Sequence, residues 1–141
     1  MTVKLYTATS NTSSRKFKKH LIENKIPYVE QNMDHESLTW EQLSEILLYT
    51  ENGVEDILSL RSNAYIELIQ QGIDFEELTL TELHALVIEN PRLIKAPIAV
   101  AKNNTLIGFH EESVAMLKSK AERRSSFMEI LKQFDMQEVI C

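Results

Sequence analysis

Val3-Lys4-Leu5-Tyr6, the polar run Thr9-Ser10-Asn11-Thr12-Ser13-Ser14, and Pro27-Tyr28-Val29-Glu30-Gln31 together decide the fold. Val3 and Leu5 alternate with Lys4 and Tyr6, the two-residue period of a strand. The polar run offers several helix N-caps, and the helix it starts runs to about Asn24. Phe17 and Leu21 lie four apart on its inner face, while Arg15, Lys16, Lys18, Lys19 and His20 keep the rest wet and basic. Pro27 ends that region and Tyr28–Gln31 reads as a second strand. A helical connection of this length permits a parallel crossover.

Downstream the period changes. Thr39 with Gln42 forms a capping box ahead of Leu43, Ile46 and Leu47, and Asn52-Gly53 is expected to stop that helix. Ala64, Tyr65, Leu68 and Ile69 mark a second helix closed by Gly72. Thr79 with Glu82 is another capping box, ahead of Leu83, Leu86 and Val87, ended by Asn90-Pro91. After Pro97 the strand period returns. Ile98–Ala101 and Thr105–Phe109 flank a Lys102-Asn103-Asn104 loop, a β-hairpin. Val114 and Leu117 suggest a short helix, and Phe127, Ile130, Leu131 and Phe134 a final amphipathic one. The order is β-α-β, three helices, then β-β-α: an α/β chain of the thioredoxin-like type with a central all-helical insertion. Residues 1–32 and 91–120 form the thioredoxin-like part, 33–90 the insertion, and 121–141 a C-terminal helix and tail.

The 141 residues suit one domain, and their net charge of −6 is unevenly spread. Residues 1–27 carry six Lys/Arg against one acid, residues 28–90 one base, Arg61, against fourteen acids, and residues 91–141 eight bases against six acids. The acidic middle is either a solvated helical face or a surface that meets a basic partner. Arg61 reads as an internal salt bridge to one of those acids, with an anion contact near Asn11–Ser14 as the alternative. No apolar run reaches the ~20 residues a membrane helix needs, and no signal segment follows Met1, so the cytoplasm is expected. The single cysteine, Cys141, excludes an internal disulfide or a cysteine metal cluster. Histidines 20, 35, 84 and 110 lack metal-ligand spacing and read as surface residues. No cofactor motif is present.

In thioredoxin-like folds redox chemistry sits where the first strand feeds the first helix, because the helix N-terminus stabilises a thiolate. Asn11 to Ser14 occupy that place, without sulfur. Tyr6-Thr7, Ser10–Lys16, Ile26-Pro27-Tyr28-Val29-Glu30, Thr50-Glu51-Asn52-Gly53, Leu60-Arg61-Ser62 and Ala96-Pro97-Ile98 together resemble the Spx regulators of Gram-positive bacteria. These belong to the arsenate-reductase-like branch of thioredoxin folds.

The resemblance implies a non-enzymatic transcriptional regulator that binds the C-terminal domain of the RNA polymerase α subunit and redirects stress-response transcription. Asn11 and Ser14 stand where switch-bearing members have Cys-x-x-Cys, which implies a member without the thiol switch. It carries a polymerase contact to Gly53, flanked by Asn52, Glu51 and Leu48, with Tyr6 and Thr7 nearby, and it implies a cis Pro97. Gly53 as a simple helix stop remains the competing reading. Leu48 and Ala96 replace arginines of better-known members, and Val139-Ile140-Cys141 departs from the family's small-residue ending. The resemblance also brings an adaptor of an ATP-dependent protease as a partner, and DNA only within the polymerase complex. The basic set Lys118, Lys120, Arg123 and Arg124 reads either as contacts to DNA phosphates there or as a common solvated pattern. Alternatives are an arsenate-reductase-like or glutathione-linked oxidoreductase, or a non-activating decoy of polymerase or adaptor.

Overall fold

The computed structural model describes residues 2–115 and 117. Strand β1 (Val3–Thr7) leads through helix α1 (Thr12–Glu23) to strand β2 (Tyr28–Asn32). Helices α2 (Trp40–Leu48), α3 (Val54–Ile57), α4 (Asn63–Gln70) and α5 (Leu80–Glu89) follow, then a 3-10 turn at Pro91–Leu93. Strands β3 (Ile98–Ala101) and β4 (Asn104–Ile107) and helix α6 (Glu111–Ala115) complete the described chain.

The four strands form one sheet in the order β2-β1-β3-β4. β1 runs parallel to β2 and antiparallel to β3, and β3 pairs antiparallel with β4. Because successive strand residues face opposite sides, β1 serves two cores. Val3 and Leu5 join Phe17, Leu21 and Ile26 of the α1 side, with Ala99, Ala101, Val114 and Leu117. Tyr6, with Ile98 and Val100, joins Leu43 and Ile46 of α2, Leu68 of α4, and Leu83 and Val87 of α5. The stretch 33–90 therefore has no core of its own among the described residues; it covers one face of the sheet. Its far end is stitched back by Ser59 N–H to Leu93 O and Lys95 N–H to Ile57 O, both 2.8 Å.

Both capping boxes form: Thr39 caps α2 with Gln42, and Thr79 caps α5 with Glu82. Each satisfies backbone donors the first helical turn leaves free, typically about 1 kcal/mol. Three details depart from the sequence reading. Helix α2 ends at Leu48, four residues before Asn52, because Thr50 turns its N–H and hydroxyl onto Leu47 O at 3.2 and 2.8 Å. Gly53 instead opens α3, a short helix the apolar spacing did not reveal. The β-hairpin turns on two residues rather than three: Lys102 and Asn103 take φ of 52° and 60°, Asn104 begins β4, and β4 stops at Ile107. Two successive positive φ values match the right-handed twist of the flanking strands.

The histidines also divide. His35 and His110 are exposed, but His20 and His84 are half-buried, His84 Nε2 lying 2.8 Å from Leu38 O. The expected final helix, the basic set Lys118, Lys120, Arg123 and Arg124, and Cys141 lie outside the described residues.

Candidate functional site

Two turns carry the positions singled out by the sequence. The first leads from β1 into α1. Asn11 is the N-cap, and its Oδ1 accepts the Ser14 N–H at 2.7 Å. Ser14, only 4% exposed, accepts a long bond of 3.4 Å from Ala8 N–H through its hydroxyl. Both side chains at the switch positions thus hold backbone. An amide and an unactivated hydroxyl offer no nucleophile for thiol–disulfide exchange.

Beside this turn lies a cleft of about 330 Å³ whose lining includes Asn11, Ser62, Arg92, Lys95 and Ala96. The Ala96–Pro97 peptide is cis. Arg92 donates to Thr9 O at 3.2 Å and pairs with Asp34 at 3.0 Å, and Asp34 in turn accepts the Thr9 N–H at 2.8 Å. The cations that line the cleft are therefore Arg92 and Lys95, which sequence reasoning missed; their one signal is proximity to Pro91 and Pro97. Arg61 belongs neither to that cleft nor to an ion pair: it is exposed and pairs with no acid among the described residues. The internal salt bridge expected of it does not form.

The second turn joins α2 to α3. Leu48 is 70% exposed at the end of α2, and Glu51 and Asn52 are exposed beyond it. Asn52 N–H donates to Asp56 Oδ2 at 2.9 Å, and Asn52 Nδ2 donates to Asp56 Oδ1 at 3.2 Å. These bonds, the backbone one foremost, hold the Asp56 carboxyl below its usual range. Gly53 takes φ 71° and ψ −135°, a conformation costly for residues with a Cβ. A Cβ there would meet nothing within 4 Å, so the glycine is required by backbone geometry and not by crowding.

Leu48, Glu51 and Asn52 thus face outward on one turn, with Tyr49, Thr50 and Gly53 half-buried in it. Tyr6 and Thr7 do not join it, which corrects their assignment as contacts. Each is 2% exposed, because β1 is an inner strand with neighbours on both edges and cores on both faces. Thr7 Oγ1 donates to Glu30 Oε2 at 2.9 Å, on the α1 side. The Tyr6 hydroxyl is buried without a hydrogen-bond partner among the described residues, and burial, reinforced by the charge of Glu45, pushes its pKa up to about 12. Among the described residues no cluster of His, Cys, Asp and Glu suits a metal ion, and no helix is long and apolar enough to cross a membrane.

The model of the ArsC family matches residues 6–117. The global transcriptional regulator Spx of Staphylococcus haemolyticus is 34% identical over 133 residues, spanning 94% of this chain and 99% of the relative. Spx 2 of Bacillus anthracis, also named a global transcriptional regulator, is 37% identical over 130 residues, spanning 92% and 97%. Among solved structures, an ArsC-family-related protein from Bacteroides fragilis superposes with a TM-score of 0.69 at 26% identity, covering 84% of this chain and 98% of that one. An arsenate reductase from Vibrio cholerae reaches 0.67 at 24% identity, covering 84% and 98%, and shares the thioredoxin-like fold.

Proposed function

Because the chain belongs to the ArsC family, and matches its Spx transcriptional regulators along nearly its whole length, we propose that it regulates transcription by docking on RNA polymerase. The docking partner is the C-terminal domain of the α subunit, and the contact is the Leu48–Gly53 turn. One observation carries this: the turn holds an exposed apolar side chain, an exposed carboxylate and a glycine with open space where a Cβ would stand. The regulator works without a thiol switch, since Asn11 and Ser14 cap and pack where a reactive pair would stand. It does so in the cytoplasm, touches DNA only beside polymerase, and is handed to an ATP-dependent protease by an adaptor.

Titration of the full chain with purified α C-terminal domain at two salt concentrations tests the reading. Submicromolar binding that weakens with salt is the expected result, since acidic residues border the turn. Gly53→Arg, which changes both the surface and the backbone of the turn, should abolish it. Wild-type affinity in that variant would remove the site, and absence of binding by the parent chain would remove the partner. Transcription in vitro, with and without the chain, then separates an activator from a decoy. An oxidoreductase would need a sulfur that the α1 turn lacks, and turnover of arsenate or disulfides would overturn the non-enzymatic reading.

A further inference from the structure

Among the described residues strand β4 is an edge of the sheet, with β3 on one side and no strand on the other. Ala101 and Asn104 flank the two-residue turn, which makes them a hydrogen-bonded pair of the antiparallel ladder. The alternation then bonds Ala99 with Leu106 and leaves Thr105 and Ile107 with N–H and C=O directed away from β3. The next bonded position agrees, Gly108 N–H donating to Pro97 O at 2.8 Å. Neither Thr105 nor Ile107 pairs its N–H with another described residue outside the ladder.

Such edges are ordinarily kept short or guarded by a charge, a proline or a bulge; Asn104-Thr105-Leu106-Ile107 is short but carries none of the other three. A groove of about 410 Å³ runs along it, with Asn104–Ile107 as one wall and Tyr49, Thr50, Glu51 and Asp56 as the other. Two carboxylates and no basic side chain line this groove. The wall is fixed in place, because Thr105 Oγ1 donates to Ile46 O of α2 at 2.8 Å and Asn52 clasps Asp56 from two atoms. Lys95 lies near enough to Asp56 to be felt as a charge, and Lys102 sits in the hairpin turn, but neither lines the groove.

We infer that the open edge of β4 docks an extended peptide segment bearing lysine or arginine, which adds a fifth strand to the sheet. Main-chain bonds to Thr105 and Ile107 supply affinity that is blind to sequence. Glu51 and Asp56 select basic side chains on the strand that enters. The charge of the wall decides against a second copy of this chain as occupant, since pairing two such edges brings the carboxylates of both together. The site borders the Leu48–Gly53 turn and shares Tyr49, Thr50 and Glu51 with it, yet it does not depend on polymerase as the partner.

Amide NMR of the full chain tests this with two synthetic hexapeptides, one alternating lysine with valine and one alternating glutamate with valine. The lysine peptide should shift the Thr105 and Ile107 amides and bind about tenfold more tightly than the glutamate peptide. Thr105→Pro removes the outward N–H at an edge that tolerates proline, and should weaken binding about tenfold. Thr105→Val loses the hydroxyl bond to Ile46 but keeps the N–H, and should bind as the parent does. If Thr105→Pro fails to fold, Glu51→Lys on the exposed wall decides instead, by abolishing the preference for the lysine peptide. Equal affinity for both peptides, shifts away from β4, or undiminished binding by Thr105→Pro would overturn the inference. So would concentration-dependent shifts at β4 without peptide, which would make a second copy the occupant. Peptide binding without α-domain binding leaves this site standing and removes only the polymerase reading.

Discussion

The turn into α1 and the turn into α3 both begin helices, and they satisfy their backbones in opposite ways. At α1 the cap is a side chain: Asn11 holds Ser14 N–H, and Ser14 is buried. At α3 the cap position is a bare glycine without a side-chain bond, and stabilisation comes backwards from Asp56 to Asn52. The first turn commits Asn11 and Ser14 to backbone and holds no sulfur. The second leaves Leu48, Glu51 and Asn52 outside. Where the fold ordinarily does chemistry this chain uses its side chains for capping, and an exposed leucine stands on the helical layer instead.

The sharpest way to break that contrast is Leu48→Asp. Burying a leucine on binding is worth about 2 kcal/mol, so α-domain affinity should fall roughly thirtyfold while the melting temperature stays put. Next comes Gly53→Ala, which should cost about 1–2 kcal/mol in chemical denaturation because of φ alone, although its Cβ meets nothing. A neutral result would mean that the turn relaxes and is not held. Asn11→Ala should cost about 1 kcal/mol of stability through the lost cap and leave α-domain affinity unchanged. Were it to weaken binding as Leu48→Asp does, the two turns would act as one site.

The smallest effect tests the strand between them. The Tyr6 pKa, raised from 10.0 to about 12, means that the folded chain favours the neutral phenol. Its contribution is complete below the unfolded value and is lost as pH rises through the folded one. An alkaline absorbance titration should show a phenolate step near 12 that Tyr6→Phe removes.

Much of this architecture is legible in the sequence because its signals are local. Thr39 with Gln42 and Thr79 with Glu82 announce helix starts through bonds spanning three residues, and both form. The failures involve information that adjacent residues do not carry. A glycine advertises positive φ but not ψ, so Gly53 reads as a helix stop when its ψ of −135° makes it an entry. Tyr6 looks available until β3, more than ninety residues on, covers its free edge. Arg92 and Lys95 reach the α1 turn only because the chain returns there before Pro97. Lys102 and Asn103 accept left-handed backbone without a glycine to signal it.

The position of β1 between β2 and β3 also sets an order of events at the ribosome. Leu5 pairs with Glu30, near in sequence, but its other partner is Ala99. The stretch from Asn32 to Ile98 takes on the order of ten seconds to synthesise at ordinary rates. Throughout that interval the strand that ends up most enclosed has one edge bare, and Tyr6 lacks Ile98 and Val100 to pack against. The nascent chain is thus most vulnerable to mispairing at its first few residues, and only the late hairpin relieves it.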